Sequence, residues 1–192
     1  MKELPILFSS PMVRALLAGT KTQTRRIVKP QPSFCSDEEN SAAGHTQEAL
    51  GDKCPYGAPG DRLWVRETWA PRGVNQIGGG PLTTLIAYRT DGAMHALPHR
   101  EIARDPHNWH PSIFMPRWAS RLTLEITAVR VERLQDISEV DAKAEDGCWV
   151  VCGPRWGTYR AGYHWLWESI NGPGSWALNP WIWVITFKRI TP

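Results

Sequence analysis

The sequence predicts an α+β fold, in which strands bend towards a curved barrel and about three short helices accompany them. Two observations lead to this. Along the 192 residues, strand-like and helix-like stretches do not alternate regularly, which argues against a parallel α/β sheet. In the clearest strand region, Arg121 to Leu134, the apolar residues Leu122, Leu124 and Ile126 alternate on one face, and Val129 and Val131 continue one residue out of phase. Such a slip within an extended segment is what a bulge or sharp bend produces. Barrels need such bends. The length suits one domain, residues 1–192, with a complete core, and is short for two.

The elements follow in order. A helix is expected at Ser10-Pro11-Met12-Val13-Arg14-Ala15-Leu16-Leu17-Ala18-Gly19, with Ser10 as cap, Pro11 at the first helical position and Gly19 as stop. Residues 31–57 are polar and rich in turn formers, so they read as a loop insertion outside the core. Gly60-Asp61 then forms a turn into the strand Arg62-Leu63-Trp64-Val65-Arg66, with Glu67 at its end. A second insertion is expected over 71–118, a candidate lid: a break from Pro71 to Pro81, a strand at Thr83 to Tyr88, and irregular structure packed by aromatics from Asp91 to Trp118. Ser138-Glu139-Val140-Asp141 carries a capping pattern and opens a second helix ending near Gly147. A third helix covers Ala161 to Ile170, before Asn171-Gly172, and the β-branched and aromatic run Trp181 to Lys188 is a closing strand. The strands at 62–66, 121–133 and 181–188 are expected in one curved sheet, with pairing broken near Thr127-Ala128.

Composition narrows the function. The four cysteines, Cys35, Cys54, Cys148 and Cys152, lack both Cys-x-x-Cys spacing and the density of a secreted scaffold, so free thiols are expected. Combined with His107 and His110, Cys148 and Cys152 match no standard zinc spacing. No metal and no cofactor are therefore expected. The first residues have no apolar core of signal-peptide length, and no stretch approaches a membrane span, so a cytosolic protein without a membrane partner is expected. The net charge of +3 is modest, but residues 1–30 hold Lys2, Arg14, Lys21, Arg25, Arg26 and Lys29 against Glu3 alone. Such a patch can hold a phosphate or steer an anionic ligand, and can equally be a solvated face. Most of the eleven tryptophans are expected in packing, and one or two could serve as platforms for bases.

The densest chemistry lies just after the first helix, in Gly19-Thr20-Lys21-Thr22-Gln23-Thr24-Arg25-Arg26. It brings a potential base, hydroxyl and amide groups and two guanidiniums into eight residues. The second glycine of a triphosphate-binding loop is missing and no helix follows, which excludes that reading.

This run, as Gly19-x-Lys21-Thr22-x-Thr24-x-Arg26, resembles the signature of the ASCH family, and three later blocks agree in order. They are Pro59-Gly60-Asp61-Arg62-Leu63-Trp64-Val65, then Ile137-Ser138-x-x-Asp141-Ala142-x-Ala144-Glu145-Asp146-Gly147, and finally Trp183-Val184-Ile185-Thr186-Phe187-Lys188. The layout is most similar to longer, phage-type members, in which Met115-Pro116-Arg117-Trp118-Ala119-Ser120-Arg121 also recurs. The resemblance implies a PUA-like curved barrel and business with a modified nucleoside or RNA. Some small bacterial members of the family are amidohydrolases that remove the acetyl group from N(4)-acetylcytidine with a lysine, a threonine and a glutamate. By motif these are Lys21, Thr24 and Glu145, with Glu67 as the competing carboxylate. Arg25, Arg26, Glu67 and Trp64 are the candidate substrate-binding residues.

The chemistry sets conditions. A threonine hydroxyl needs a base, and a lysine serves only if its amine loses its proton well below the usual pKa of about 10.4. Burial and the like charges of Arg25 and Arg26 act in that direction, whereas an ionised Glu145 opposes it, so Glu145 is expected to work protonated, as a donor to the leaving nitrogen. In a regular strand Lys21 and Thr24 point to opposite faces. Their convergence is therefore expected to need a non-extended turn at Thr22-Gln23. The alternatives are a non-catalytic RNA or modified-nucleic-acid binding module, which needs an open basic surface, and a ribonuclease.

Overall fold

The computed structural model describes residues 1–32, 54–76, 80–99, 108–145 and 157–190. Among these residues the architecture is α+β, with three α-helices and two sheets. The first sheet contains β1 (Glu3–Leu7), β2 (Gln23–Ile27), β3 (Arg62–Arg66), β7 (Thr123–Arg133) and β8 (Trp181–Ile190), in the order β1-β3-β7-β8-β2. The second is an antiparallel sheet of β4 (Trp69–Asn75), β5 (Thr83–Tyr88) and β6 (Met94–Pro98). The helices are α1 (Ser10–Ala18), α2 (Glu139–Glu145) and α3 (Tyr159–Asn171).

β7 and β8 form the spine. Their register shifts between Ile126 and Ala128, so Thr127 is the extra residue at which the alternation slips. The bulge lets Leu122, Leu124 and Ile126 on one side of it, and Val131 on the other, reach the same core. The expectation that 62–66, 121–133 and 181–188 share a sheet holds in the register of β3 with β7 and of β7 with β8.

β8 is covered on both faces, which explains its nearly unbroken apolar run. Trp183, Ile185 and Phe187 enter a core beneath α1, built with Ile6, Phe8, Val13 and Leu16. Ile182 and Val184 enter a second core beneath α2 and α3, with Leu134, Ile137, Tyr163 and Trp167. A third cluster, of Trp69, Ile86, Tyr88, Met115 and Ala119, lies under the second sheet.

Local chemistry sets the helix ends. α1 starts one residue earlier than its sequence suggests: Ser10 is already helical, Ser9 is the cap residue, and no side chain caps the end. Gly19, at φ 76°, closes α1 in the left-handed conformation, where a side chain would be strained. The Ser138 hydroxyl accepts from the Asp141 N–H at 3.1 Å, as the capping pattern predicts. Thr158 caps α3 in the same way through Ala161. The Glu139 carboxylate also accepts from the Tyr159 and Arg160 amides, tying the start of α2 to the start of α3.

Several expectations need correction. The strands do not close into a barrel among the described residues: β1 and β2 are the two edges of an open sheet and do not pair. Closure requires the edge strands to meet, and here α1 joins β1 to β2 over one face of the sheet instead. The described part of 71–118 is not mainly loop, because it holds β4 and β6 as well as β5. β4 begins at Trp69 and continues through Pro71, where a register shift before Gly73 accommodates a residue that cannot donate to a ladder. β6 is largely exposed and ends in proline, so no alternating apolar pattern announces it. Residues 33–53 of the expected first insertion and the end of the second helix near Gly147 lie outside the described residues.

A buried ion pair joins the two sheets. Arg121, just before β7, donates to both Glu67 oxygens at 2.8 and 2.9 Å and to Asp91, in the β5–β6 connection, at 2.8 and 3.0 Å. Its guanidinium lies 4.1 Å from the centre of the Tyr88 ring. Glu67 is 2% exposed, so removing its partner strands a charge. Arg121→Met is expected to lower the unfolding free energy by about 3 kcal/mol. The double variant Glu67→Gln with Arg121→Met should recover much of that loss, as read by urea denaturation.

Candidate functional site

The site grows from the free edge of β2. Gly19 ends α1 and the chain turns through Thr20 to Lys21, whose amide still bonds the Ala15 carbonyl. At Thr22 it is already paired: the Thr22 carbonyl accepts from the Phe187 amide, and β2 then follows β8 from Gln23 to Ile27. The expected non-extended turn at Thr22-Gln23 is therefore absent. Alternation sends Gln23 and Arg25 to the face of Val184, towards α2 and α3, and Thr24 and Arg26 to the face of Ile185, towards the core beneath α1.

Among the described residues β2 has no strand on its other side. A recess at this edge can therefore touch both faces at once. A small recess of about 70 Å³ does so, lined by Thr24, Arg25, Arg26 and Glu145 and walled by Met12 of α1 and by Tyr163 and Trp167 of α3. The edge position brings Thr24 from one face and Arg25 from the other to the same recess, while Lys21 is not in its lining.

Lys21 and Glu145 are 124 residues apart in sequence and in contact. The Lys21 Nζ donates to Glu145 Oε2 at 2.6 Å and to the Glu145 main-chain carbonyl at 2.8 Å. Both residues are buried, at 2% and 3% exposed. The Thr22 amide bonds the Ala144 carbonyl at 2.9 Å, which locks the end of α2 to the start of β2.

Arg25 completes the cluster. Its Nη1 donates to Glu145 Oε1 at 3.2 Å, and its Nε and Nη2 donate to Glu132 Oε1 at 3.2 and 2.9 Å. Asp141 lies 3.6 Å from Nη2. Gln23 donates to Asp141 at 2.9 Å, and Arg130 bonds both Glu132 and Asp141. Burial pushes the Lys21 ammonium below its ordinary pKa of 10.5, with Arg25 and Arg26 acting the same way and Glu145 opposing them. Burial and the nearby Glu145 charge hold the Tyr163 phenol protonated, well above its ordinary value.

Two expectations change here. Both Glu145 oxygens are already engaged, by Lys21 on one and by Arg25 on the other, so neither is free to donate to a leaving nitrogen. The basic run also does not form one open patch. Lys21 and Arg25 are buried, Arg26 donates to the Leu7 carbonyl and sits 5.5 Å from the Phe8 ring, and only Lys2, Arg14 and Lys29 are exposed.

The structure thus gathers Thr24, Arg25, Arg26 and Glu145 around the recess, with Lys21 bonded to Glu145 behind it. Glu67 and Trp64 are not part of it. Glu67 is held by Arg121, and Trp64, 7% exposed, lies under the Arg66 guanidinium at 4.6 Å. Tyr163 and Trp167 were not expected. Their signal was available in the i, i+4 aromatic spacing of the third helix, but it reads equally as core packing.

Among the described residues no group of His, Cys, Asp and Glu side chains could hold a metal ion, and no helix is long and apolar enough to cross a membrane. Cys54 is free and buried, while Cys35, Cys148, Cys152 and His107 lie outside the described residues. No family model matches the chain, and no curated protein matches it. Among solved structures, protein EF3133 from Enterococcus faecalis V583, described by the family model DUF984, is similar at 12% identity and a TM-score of 0.41, over 99% of this chain and 80% of that one.

The charge arrangement has a titration consequence. Between the lowered Lys21 pKa and 10.5, the unfolded chain holds a proton at this lysine that the folded chain has released. Stability from this group therefore rises with pH across that window and is lost as pH falls through it. Glu145→Gln removes the charge that favours the ammonium, so Lys21 should titrate lower still, as followed by NMR of the lysine side chain. A Lys21 that titrates higher in this variant would contradict the coupling described.

Proposed function

We propose that this protein is an amidohydrolase that removes the acyl group from an N(4)-acylated cytosine nucleoside or a closely related modified nucleoside. The reading joins the ASCH-like motifs, and the PUA-like relationship they imply, to one geometric observation. Glu145 takes two N–H donors from the Lys21 amine, through its carbonyl and its carboxylate. A neutral amine has two N–H groups and one lone pair, so this arrangement leaves the lone pair free to accept a proton.

Arg25 makes that state accessible. With its guanidinium on Oε1, Glu145 has a second cation to balance it when Lys21 loses its charge. The Lys21 amine takes the proton from Thr24 Oγ1 as the oxygen attacks the acyl carbon. The tetrahedral carbon then releases the cytosine nitrogen, which receives that same proton from the Lys21 ammonium, leaving the acyl group on Thr24. Water activated by the same amine hydrolyses the ester and restores the threonine. Glu145 orients and balances the base throughout. The recess of about 70 Å³ suits a small acyl group and its carbonyl, with the sugar outside.

The sequestered Arg25 weighs against a binding module that depends on the N-terminal cations as an open surface.

Incubating the protein with a panel of N(4)-acylated cytosines and cytidines tests this reading. Release of cytosine or cytidine is the expected result. Thr24→Val and Lys21→Met should each lower kcat by about 10²-fold or more, and the double variant by little beyond the larger single effect. Lys21→Met should also destabilise the fold by about 3 kcal/mol, because it leaves Glu145 buried with one partner fewer. Turnover is therefore compared at a temperature where circular dichroism shows each variant folded. Full activity in Lys21→Met, or no release from any compound of the panel, would overturn the assignment.

A further inference from the structure

One wall of the recess has donors without acceptors. Tyr163 and Trp167 stand one turn apart on α3, both line the recess, and their rings are 6.2 Å apart. Trp167 is 4% exposed, and its indole N–H is buried without a hydrogen-bond partner. Tyr163 is equally buried, and its hydroxyl makes no hydrogen bond among the described residues. Its ring is held from the sides: the Arg25 guanidinium lies 5.8 Å from its centre and the Trp176 ring meets it edge-on at 6.3 Å.

Buried polar groups are almost always paired, and those that are not call for an explanation. A phenol and an indole can both donate, and the indole can do nothing else. The carboxylates nearby are already occupied, Glu145 by Lys21 and Arg25 and Glu132 by Arg25 and Arg130. The acceptor that this wall can take is one that a ligand brings, and a phenol and an indole donate to a neutral carbonyl oxygen without needing it to be charged.

We propose that Tyr163 and Trp167 are the donors that receive the carbonyl oxygen of the acyl group, Tyr163 directly and Trp167 beside it, so that α3 selects for an acylated ligand. This rests on the hydrolytic reading for the identity of the ligand. Thr24 and Glu145 line the same recess, so an acyl group entering it meets the β2 edge on one side and the two donors on the other. As Thr24 attacks, negative charge develops on that oxygen, where fixed donors in a small recess stabilise it. The protonated phenol supplies a hydrogen bond without giving up its proton, and no charge has to be created to bind the ligand.

Two measurements test this. In the first, Tyr163→Phe, which removes only an unbonded hydroxyl, and Trp167→Phe are compared with the wild type on N(4)-acetylcytidine. Tyr163→Phe is expected to lower kcat about 10²-fold, as loss of one oxyanion donor does, and Trp167→Phe to lower kcat/KM. In the second, the Trp167 indole N–H resonance, identified by its loss in Trp167→Phe, is followed in the Thr24→Val protein, where the amide stays intact. N(4)-acetylcytidine should move it downfield and cytidine should leave it in place. Hydrolysis with unchanged kinetics in both aromatic variants and an unmoved resonance would overturn the donor assignment and leave the hydrolytic reading standing. A resonance moved by the acylated compound alone, in a protein that hydrolyses nothing, would support the donor site and remove the hydrolase. An unmoved resonance together with no hydrolysis would overturn both.

Discussion

The site depends on a carboxylate that must serve two cations inside the protein. Glu145 is almost fully buried and accepts from Lys21 on one oxygen and from Arg25 on the other. An isolated charge in that position is prohibitive, and the pair is tolerated only because the geometry is tight and further hydrogen bonds satisfy the remaining groups. Those bonds run outwards through Glu132, Asp141, Arg130 and Gln23, so charge is balanced across three elements, β2, β7 and α2. Such a network is weak as a source of stability and strong as a device for position. Displacing any of the three elements leaves a buried charge without its partner.

The network decides where the rest of the site can be. It pins the end of α2 against β2, helped by the Thr22 amide on the Ala144 carbonyl. α3 is then placed by the Glu139 carboxylate at its first turn and by its packing on Ile182 and Val184. Tyr163 and Trp167 consequently face the edge of β2. Among the described residues β2 pairs with β8 alone, which leaves that edge without a strand. An open edge normally invites pairing with another chain, but here α2 and α3 crowd one face and the recess takes the remaining space. The sheet is therefore open where the proposed chemistry needs access.

By motif Glu145 stands ahead of Glu67, the competing carboxylate, and the fold separates the two. Glu67 is also buried and also paired with an arginine, but that partner, Arg121, also holds Asp91 and belongs to the joint between the two sheets. The Arg121 guanidinium lies over Tyr88, in a different core from the one that holds Tyr163. The same kind of ion pair thus does mechanical work at one place and lies beside a recess at the other. What distinguishes them is the neighbouring space: one is sealed by packed rings and the other opens beside a strand edge.

Much of this was legible in the sequence, for local reasons. The glycine after α1, the capping residues Ser138 and Asp141, and the phase slip around Thr127 each express short-range rules of backbone geometry and periodicity, and each holds in the structure. Lys21, Thr24 and Glu145 could be nominated because motifs carry residue types. β4 and β6 could not be foreseen, since proline and exposure hide their alternation, and the open sheet could not be told from a barrel because closure depends on whether two distant edges meet. Only the tertiary structure decided that Arg25 is an interior residue, that Glu145 is engaged on both oxygens, and that the unpaired buried indole N–H of Trp167 and the ring of Tyr163 border the same recess. Burial and charge balance are set by groups more than a hundred residues apart, and no local pattern records which of them will share one small volume.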